Sequence, residues 1–170
     1  MNVKLIIGLG NPNKKYENTY HNVGALFAKR FKEIRNKYQL IPQKLFILTS
    51  EAYVNESGKF VARELKIKNT ESKNLLIAQD DSDLEIGKYK FTEPGHGAGG
   101  HHGIESIQEY LKANDFWRLR IGIRPPQKEG GVRMKAEEFV LKKITAGDKE
   151  ILERRFEEIV KELGLKNAVV

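Results

Sequence analysis

None of the 170 residues is a cysteine. That absence excludes disulfides, thiolate metal sites, iron–sulfur clusters and a cysteine nucleophile. No run of the sequence approaches the ~18 apolar residues of a membrane span. The opening MNVKLIIGLG lacks the basic region and cleavage site of a signal peptide. Ser57, in NESGK, is not set in a GxSxG elbow, so a serine nucleophile is not expected. What remains is an ordinary globular composition, 39% hydrophobic and 31% charged. A chain of this length buries about two-thirds of its unfolded surface and needs no covalent or metal staple. The expectation is one cytoplasmic domain spanning residues 1–170, with no membrane association.

The charge is basic and uneven. Lys and Arg outnumber Asp and Glu by 30 to 23, with net +6 over residues 1–40 and +5 over 117–143. Two basic blocks far apart in sequence can converge on one face and attract a polyanion, nucleic acid first among candidates. The first block, Lys29 to Lys37, also fits the solvated face of a helix.

Apolar runs and their spacing set the elements. Val3–Gly8 reads as a buried strand, and Val23, Leu26, Phe27, Phe31 and Ile34 as the stripe of a long helix. Leu45–Leu48 is a second strand, and Glu56–Leu65 a second helix. Asn74–Ala78 is a third strand, expected to end before an acidic turn, QDDSD. An outer strand over Lys88–Thr92 leads into the glycine loop PGHGAGG, then a helix over His102–Leu111. Trp117–Ile123 alternates in period two, residues 124–132 form an exposed loop, and Asp148–Leu163 is a closing helix. Alternating strands and helices predict an α/β fold with a mostly parallel sheet covered on both faces.

In such sheets, sites form beyond the carboxyl ends of the strands. Those ends carry Asn11, His21, Asn55, Asp80 and the loop from His96 to His102. A histidine neutral near pH 7 can take a proton from water, and a carboxylate can hold its second nitrogen. The two asparagine amides suit the orientation of water or the stabilisation of an oxyanion. Taken singly, each residue also fits a turn or a helix cap. The glycine loop resembles a phosphate cradle but lacks the GK[ST] ending of a P-loop. His96, His101, His102 and Asp80 fit no standard zinc spacing, so no metal is expected.

Assembled in order, these motifs resemble bacterial peptidyl-tRNA hydrolase. GLGNPNKKYENTYHNVG at 8–24 resembles that family's GLGNPG-x-x-Y-x-x-T-R-H-N-x-G, and VNESGK at 54–59 its MN-x-SG-x. QDDSDLEIGK at 79–88 is similar to HDELDL-x-x-G, GHGAGGHHGIESI at 95–107 to GGHGGHNGL-x-SI, and WRLRIGIRP at 117–125 to RLRIGIGRP. The resemblance implies an α/β/α sandwich around a twisted, mixed sheet. It also implies a monomer without metal or cofactor that hydrolyses the ester between a peptide and the 3′ ribose of tRNA. By the same resemblance His21 is the base, Asp80 its partner, and Asn11 and Asn55 the stabilising amides. Tyr16, Val54, Gly99, Gly100, His101 and His102 fall at substrate-binding positions. Lys88, Lys90, Arg124, Lys128, Arg133 and Lys135 are then candidates for gripping tRNA phosphates, contacts that carry little sequence information.

The chain departs from the pattern at four points. His102 replaces an asparagine, Val54 a methionine and Tyr20 an arginine, and the stretch between His21 and Asn55 is short for the family. A contrasting reading is an RNA-binding module that kept the fold and lost the chemistry.

Overall fold

The apolar run near the start of the chain becomes an inner strand of a five-stranded sheet. The computed structural model describes residues 1–38, 45–126 and 134–168. The strands are β1 (Leu5–Gly8), β2 (Phe46–Thr49), β3 (Leu75–Glu85), β4 (Tyr89–Thr92) and β5 (Trp117–Arg124), in the order β2-β1-β3-β5-β4. All neighbours are parallel except β4, which runs antiparallel to β5 at one edge. The helices are α1 (Val23–Tyr38), α2 (Ser57–Ile67), α3 (His102–Leu111) and α4 (Ala146–Ala168).

β1 is buried throughout because it is covered on both faces, which is why it reads as a continuous apolar run. Ile6, Leu76, Ala78, Leu119 and Ile121 turn toward α1 and α4, where Phe27 and Phe156 meet with ring centroids 5.5 Å apart. Leu5, Ile7, Leu75 and Ile77 turn the other way, toward Phe60 and Val61 of α2 and Ile104 and Ile107 of α3. This is the expected three-layer α/β/α arrangement around a mixed, mostly parallel sheet.

One expectation is corrected. The third strand does not stop at Ala78. β3 continues through the acidic segment to Glu85, because β5 runs beside it and supplies backbone partners from Trp117 to Arg124. β1 and β2 end at Gly8 and Thr49, so the prolonged β3–β5 pair stands out beyond them as a ledge. Asp80 lies within that ledge instead of in a turn after it.

α1 crosses the sheet at close range. A Cβ on Gly24 would lie 2.2 Å from the Ala78 carbonyl oxygen, and one on Gly8 would lie 2.1 Å from the Gly24 carbonyl oxygen. Backbone meets backbone here, which brings the N-terminus of α1, and His21 just before it, down onto β3. Gly24→Ala is therefore expected to force the helix off the sheet and destabilise the fold by about 1–3 kcal/mol. Gly97→Ala, whose Cβ would meet nothing within 4 Å, is expected to stay within about 0.5 kcal/mol of the parent. Thermal or urea unfolding of the two variants checks the contrast.

Candidate active site

A cleft of about 790 Å³ opens between the ledge, the glycine loop and the turn that precedes α1. All four histidines of the chain line it. His21 sits in the 3-10 turn Tyr20–Asn22, its backbone N–H donating to Val140 O at 2.8 Å. Its Nδ1 lies 2.9 Å from Oδ1 of the buried Asp80. His101 approaches the same oxygen from the glycine loop, with Nε2 at 3.3 Å.

The tautomers follow from the partners. His101 caps α3, its Nδ1 accepting from the backbone N–H groups of Gly103 at 3.1 Å and Ile104 at 3.4 Å. The proton of His101 therefore resides on Nε2 and is donated to Asp80. Burial opposes ionisation of Asp80, but the hydrogen bonds and charges of His101 and His21 outweigh it and bring its pKa down to about 2. As a carboxylate Asp80 only accepts, so Nδ1 of His21 donates and Nε2 becomes the ring's proton acceptor. Burial alone would lower the pKa of His21, yet the bond to Asp80 and its charge leave it raised.

Among the described residues, His21, Asp80 and His101 are the only grouping with metal-ligand character, their ligand atoms lying within 4.8 Å of one another. A cation there would need the Nε2 lone pair of His101, which capping of α3 keeps occupied by a proton. The donor set suits a hydrogen-bonded relay.

Asn11 is tied to the same unit. Its backbone N–H donates to Asn22 Oδ1 at 2.9 Å, and Asn22 Nδ2 donates to Asn11 O at 3.0 Å. Asn11 Oδ1 accepts from Val54 N–H at 2.9 Å, which fixes which end of that amide is oxygen. Asn55 is exposed on the following 3-10 turn, Val54–Glu56. Neither asparagine lines the cleft itself. Val54 is buried, and a Cβ on Gly103 would meet its side chain at 2.8 Å. Tyr16 is half-buried, edge-on to Tyr53 at 6.4 Å, with Lys15 Nζ 4.8 Å from its ring. Gly99 and Gly100 line the cleft with φ of 63° and 77°, a backbone that favours glycine. His102, exposed at the mouth of the cleft, holds Glu105 through Nδ1 at 2.8 Å.

The basic candidates separate. Lys90 is exposed and lines the cleft, Lys135 is exposed outside it, and Lys88 is paired with Glu85 at 2.7 Å. Arg124 donates to the carbonyl oxygens of Ser82 and Met134, joining β3 to the segment that leads into α4. Lys128 and Arg133, with most of the predicted loop, lie outside the described residues.

The cleft residues not singled out by sequence include Gln79, Asp81, Arg118 and Arg120. Arg120 pairs with Asp81. Arg118 is 5% exposed and donates to Ala98 O at 3.4 Å. Burial, then the like charge of Arg120, lowers its pKa. The signal was the alternation of arginines with apolar residues in β5, since two charges on one face of an inner strand need a polar neighbour.

Comparison with known proteins bears on the family and the fold. The family model described as peptidyl-tRNA hydrolase matches residues 5–168. A peptidyl-tRNA hydrolase of Prochlorococcus marinus is 34% identical over 95% of this chain and 86% of its own length. One of Ligilactobacillus salivarius is 37% identical over 84% and 81%. The crystal structure of peptidyl-tRNA hydrolase from Acinetobacter baumannii superposes with a TM-score of 0.80 at 27% identity, covering 98% of this chain and 89% of that one. A hydrogenase-maturating endopeptidase from E. coli, with a TM-score of 0.51 at 11% identity, shares the fold alone. With its motifs, its sheet and its relatives in accord along nearly its whole length, the chain belongs to the peptidyl-tRNA hydrolase family.

Proposed function

We propose that this protein hydrolyses the ester joining a peptide, or an N-blocked amino acid, to the 3′ ribose of tRNA. The observation that carries the reading is the 2.9 Å contact of His21 Nδ1 with Asp80, which leaves Nε2 as an acceptor beside the cleft. His21 takes a proton from water as the oxygen attacks the ester carbonyl. The tetrahedral intermediate collapses with release of the ribose 3′ oxygen, which receives the proton held by His21. Asp80 orients the imidazole and stabilises its charged form. The amides of Asn11 and Asn55 stabilise the developing oxyanion, Asn11 through its NH₂ group because its oxygen is engaged by Val54.

The tRNA is gripped through phosphates by Lys90 and Arg118 at the cleft floor. Support for this comes from Arg118, a buried guanidinium for which no ion pair is seen among the described residues. An anion there would offset both its burial and its repulsion from Arg120. The contacts are independent of sequence, which suits an enzyme that accepts many tRNAs.

The direct test is release of N-acetylated amino acid from tRNA, with EDTA present and unblocked aminoacyl-tRNA as control. Release from the blocked substrate alone is expected, and His21→Ala should slow it at least ~100-fold. Binding of tRNA with no release would favour an RNA-binding module instead.

Because only neutral His21 accepts a proton, kcat/KM should climb with pH through a midpoint above the ordinary 6.5 of histidine. Asp80→Asn removes the groups that raise that midpoint, so the acid limb should move to lower pH while the maximal rate falls by ~10²–10⁴. A pH–rate profile in which the limb stays in place would separate Asp80 from His21.

Lys90→Ala should raise KM with little change in kcat, and reduce the slope of log KM against log salt by about one phosphate contact. A salt titration of both proteins measures this.

A further inference from the structure

The turn that carries His21 is held from behind by the segment that leads into α4. Tyr20 N–H donates to Lys142 O at 3.2 Å, His21 N–H to Val140 O at 2.8 Å, and Ile144 N–H to Asn18 O at 2.8 Å. Thr19 and Lys143 form an isolated antiparallel bridge, and Lys143 Nζ donates to the carbonyl oxygens of Lys15 and Glu17. Residues 134–148 thus act as a strap across the loop before α1, and Ala136, Glu137 and Val140 of the strap also line the cleft.

The strap is fastened by a side-chain bond. Tyr20 is 5% exposed, its ring edge-on to Phe139 at 6.3 Å and its hydroxyl donating to Asp148 Oδ2 in the first turn of α4. Asp148 is itself fixed there, its backbone N–H donating to Thr145 Oγ1 at 3.1 Å. Burial first, and Asp148 next, push the Tyr20 phenol above its ordinary pKa, so it stays a donor across the working range.

We propose that the Tyr20–Asp148 hydrogen bond is a positioning device for His21. It holds the residue immediately before the base, and through the strap it holds the backbone N–H of the base itself. Tyr20 and Asp148 touch no reacting atom in this scheme and act through His21, so the inference rests on His21 being the base. Without the hydroxyl, a half-buried carboxylate would face an apolar ring edge and turn toward water. The strap would lift, and the imidazole would lose its register with Asp80. Displacement by an ångström is enough to lower turnover substantially.

The test compares Tyr20→Phe, Asp148→Ala, Asp148→Asn, the double variant Tyr20→Phe/Asp148→Ala, and His21→Ala on N-acetylaminoacyl-tRNA. Tyr20→Phe and Asp148→Ala should each lower kcat ~10-fold with KM unchanged. The double variant should be no slower than either single one, because both remove the same bond. Asp148→Asn keeps an oxygen acceptor and should retain most of kcat. The NMR titration midpoint of His21 should fall in Tyr20→Phe, since a looser turn weakens the contact with Asp80 that raises it. Wild-type kcat and His21 titration with only a lower Tm would overturn the proposal, as would additive losses or a rise in KM alone. If His21→Ala retains turnover, the base assignment itself fails. If His21→Ala is inactive and Tyr20→Phe is not impaired, only the positioning role is lost.

Discussion

A buried carboxylate keeps its charge only if donors surround it, and Asp80 draws both of its histidine donors onto one oxygen. The two come from segments that no strand holds, the turn before α1 and the glycine loop. Each is joined to β3 by its bond to that atom, so the ionised Asp80 is a point at which both walls of the cleft meet the sheet. The same carboxylate has two different partners. His101 is fixed in place by the two backbone N–H groups that its other nitrogen accepts. His21 carries no such cap, so the negative charge beside it raises its affinity for a proton.

The layers of the fold were legible because burial on both faces leaves a plain record in β1, and burial on one face leaves helical stripes in α1 and α4. His21 and Asp80 could be paired in advance because a histidine and a carboxylate at successive strand ends have a clear chemical use. The extension of β3 was not legible. Gln79, Asp80, Asp81, Ser82 and Asp83 have the composition of a turn, and only pairing with β5 makes them a strand. Asn22 escaped notice for a related reason. It holds Asn11 through two hydrogen bonds, a contact eleven positions back with no periodicity to announce it. Cations were also easier to count than to assign, since Arg124 proved to be engaged by carbonyl oxygens and Lys88 by Glu85.

A sheet of this topology does not specify the chemistry, as the shared fold of an endopeptidase at 11% identity shows. The specifics lie in how helix and loop are brought to the ledge. The glycine pair Gly8 and Gly24 lets α1 approach until backbones touch. Any bulk there would lift the helix start, and His21 with it, away from Asp80. Packing between α1 and the sheet therefore sets a hydrogen-bond length at the site, and the core and the chemistry cannot be varied independently.

Charge in the cleft is arranged with the same economy. β3 brings Asp81 and Asp83 to the lip of a site proposed to receive a polyanion, where exposed carboxylates would repel it. Asp81 is instead buried against Arg120, and its Oδ1 is further engaged by the backbone N–H of Asp83 at 2.8 Å. Asp80 is covered by its two histidines. With Asp80 and Asp81 paired, the cations left facing the cleft floor are Arg118 and Lys90, on neighbouring strands and the same face of the sheet, while Asp83, Glu93 and Glu137 stay at its exposed rim. An anionic chain would be drawn toward β4 and β5, while the ester at its end reaches toward β3 and His21. The division follows from strand register, since Thr92 and Lys90 lie opposite Arg118 and Arg120. A shift of one residue between β4 and β5 would turn Lys90 to the far face and out of the cleft.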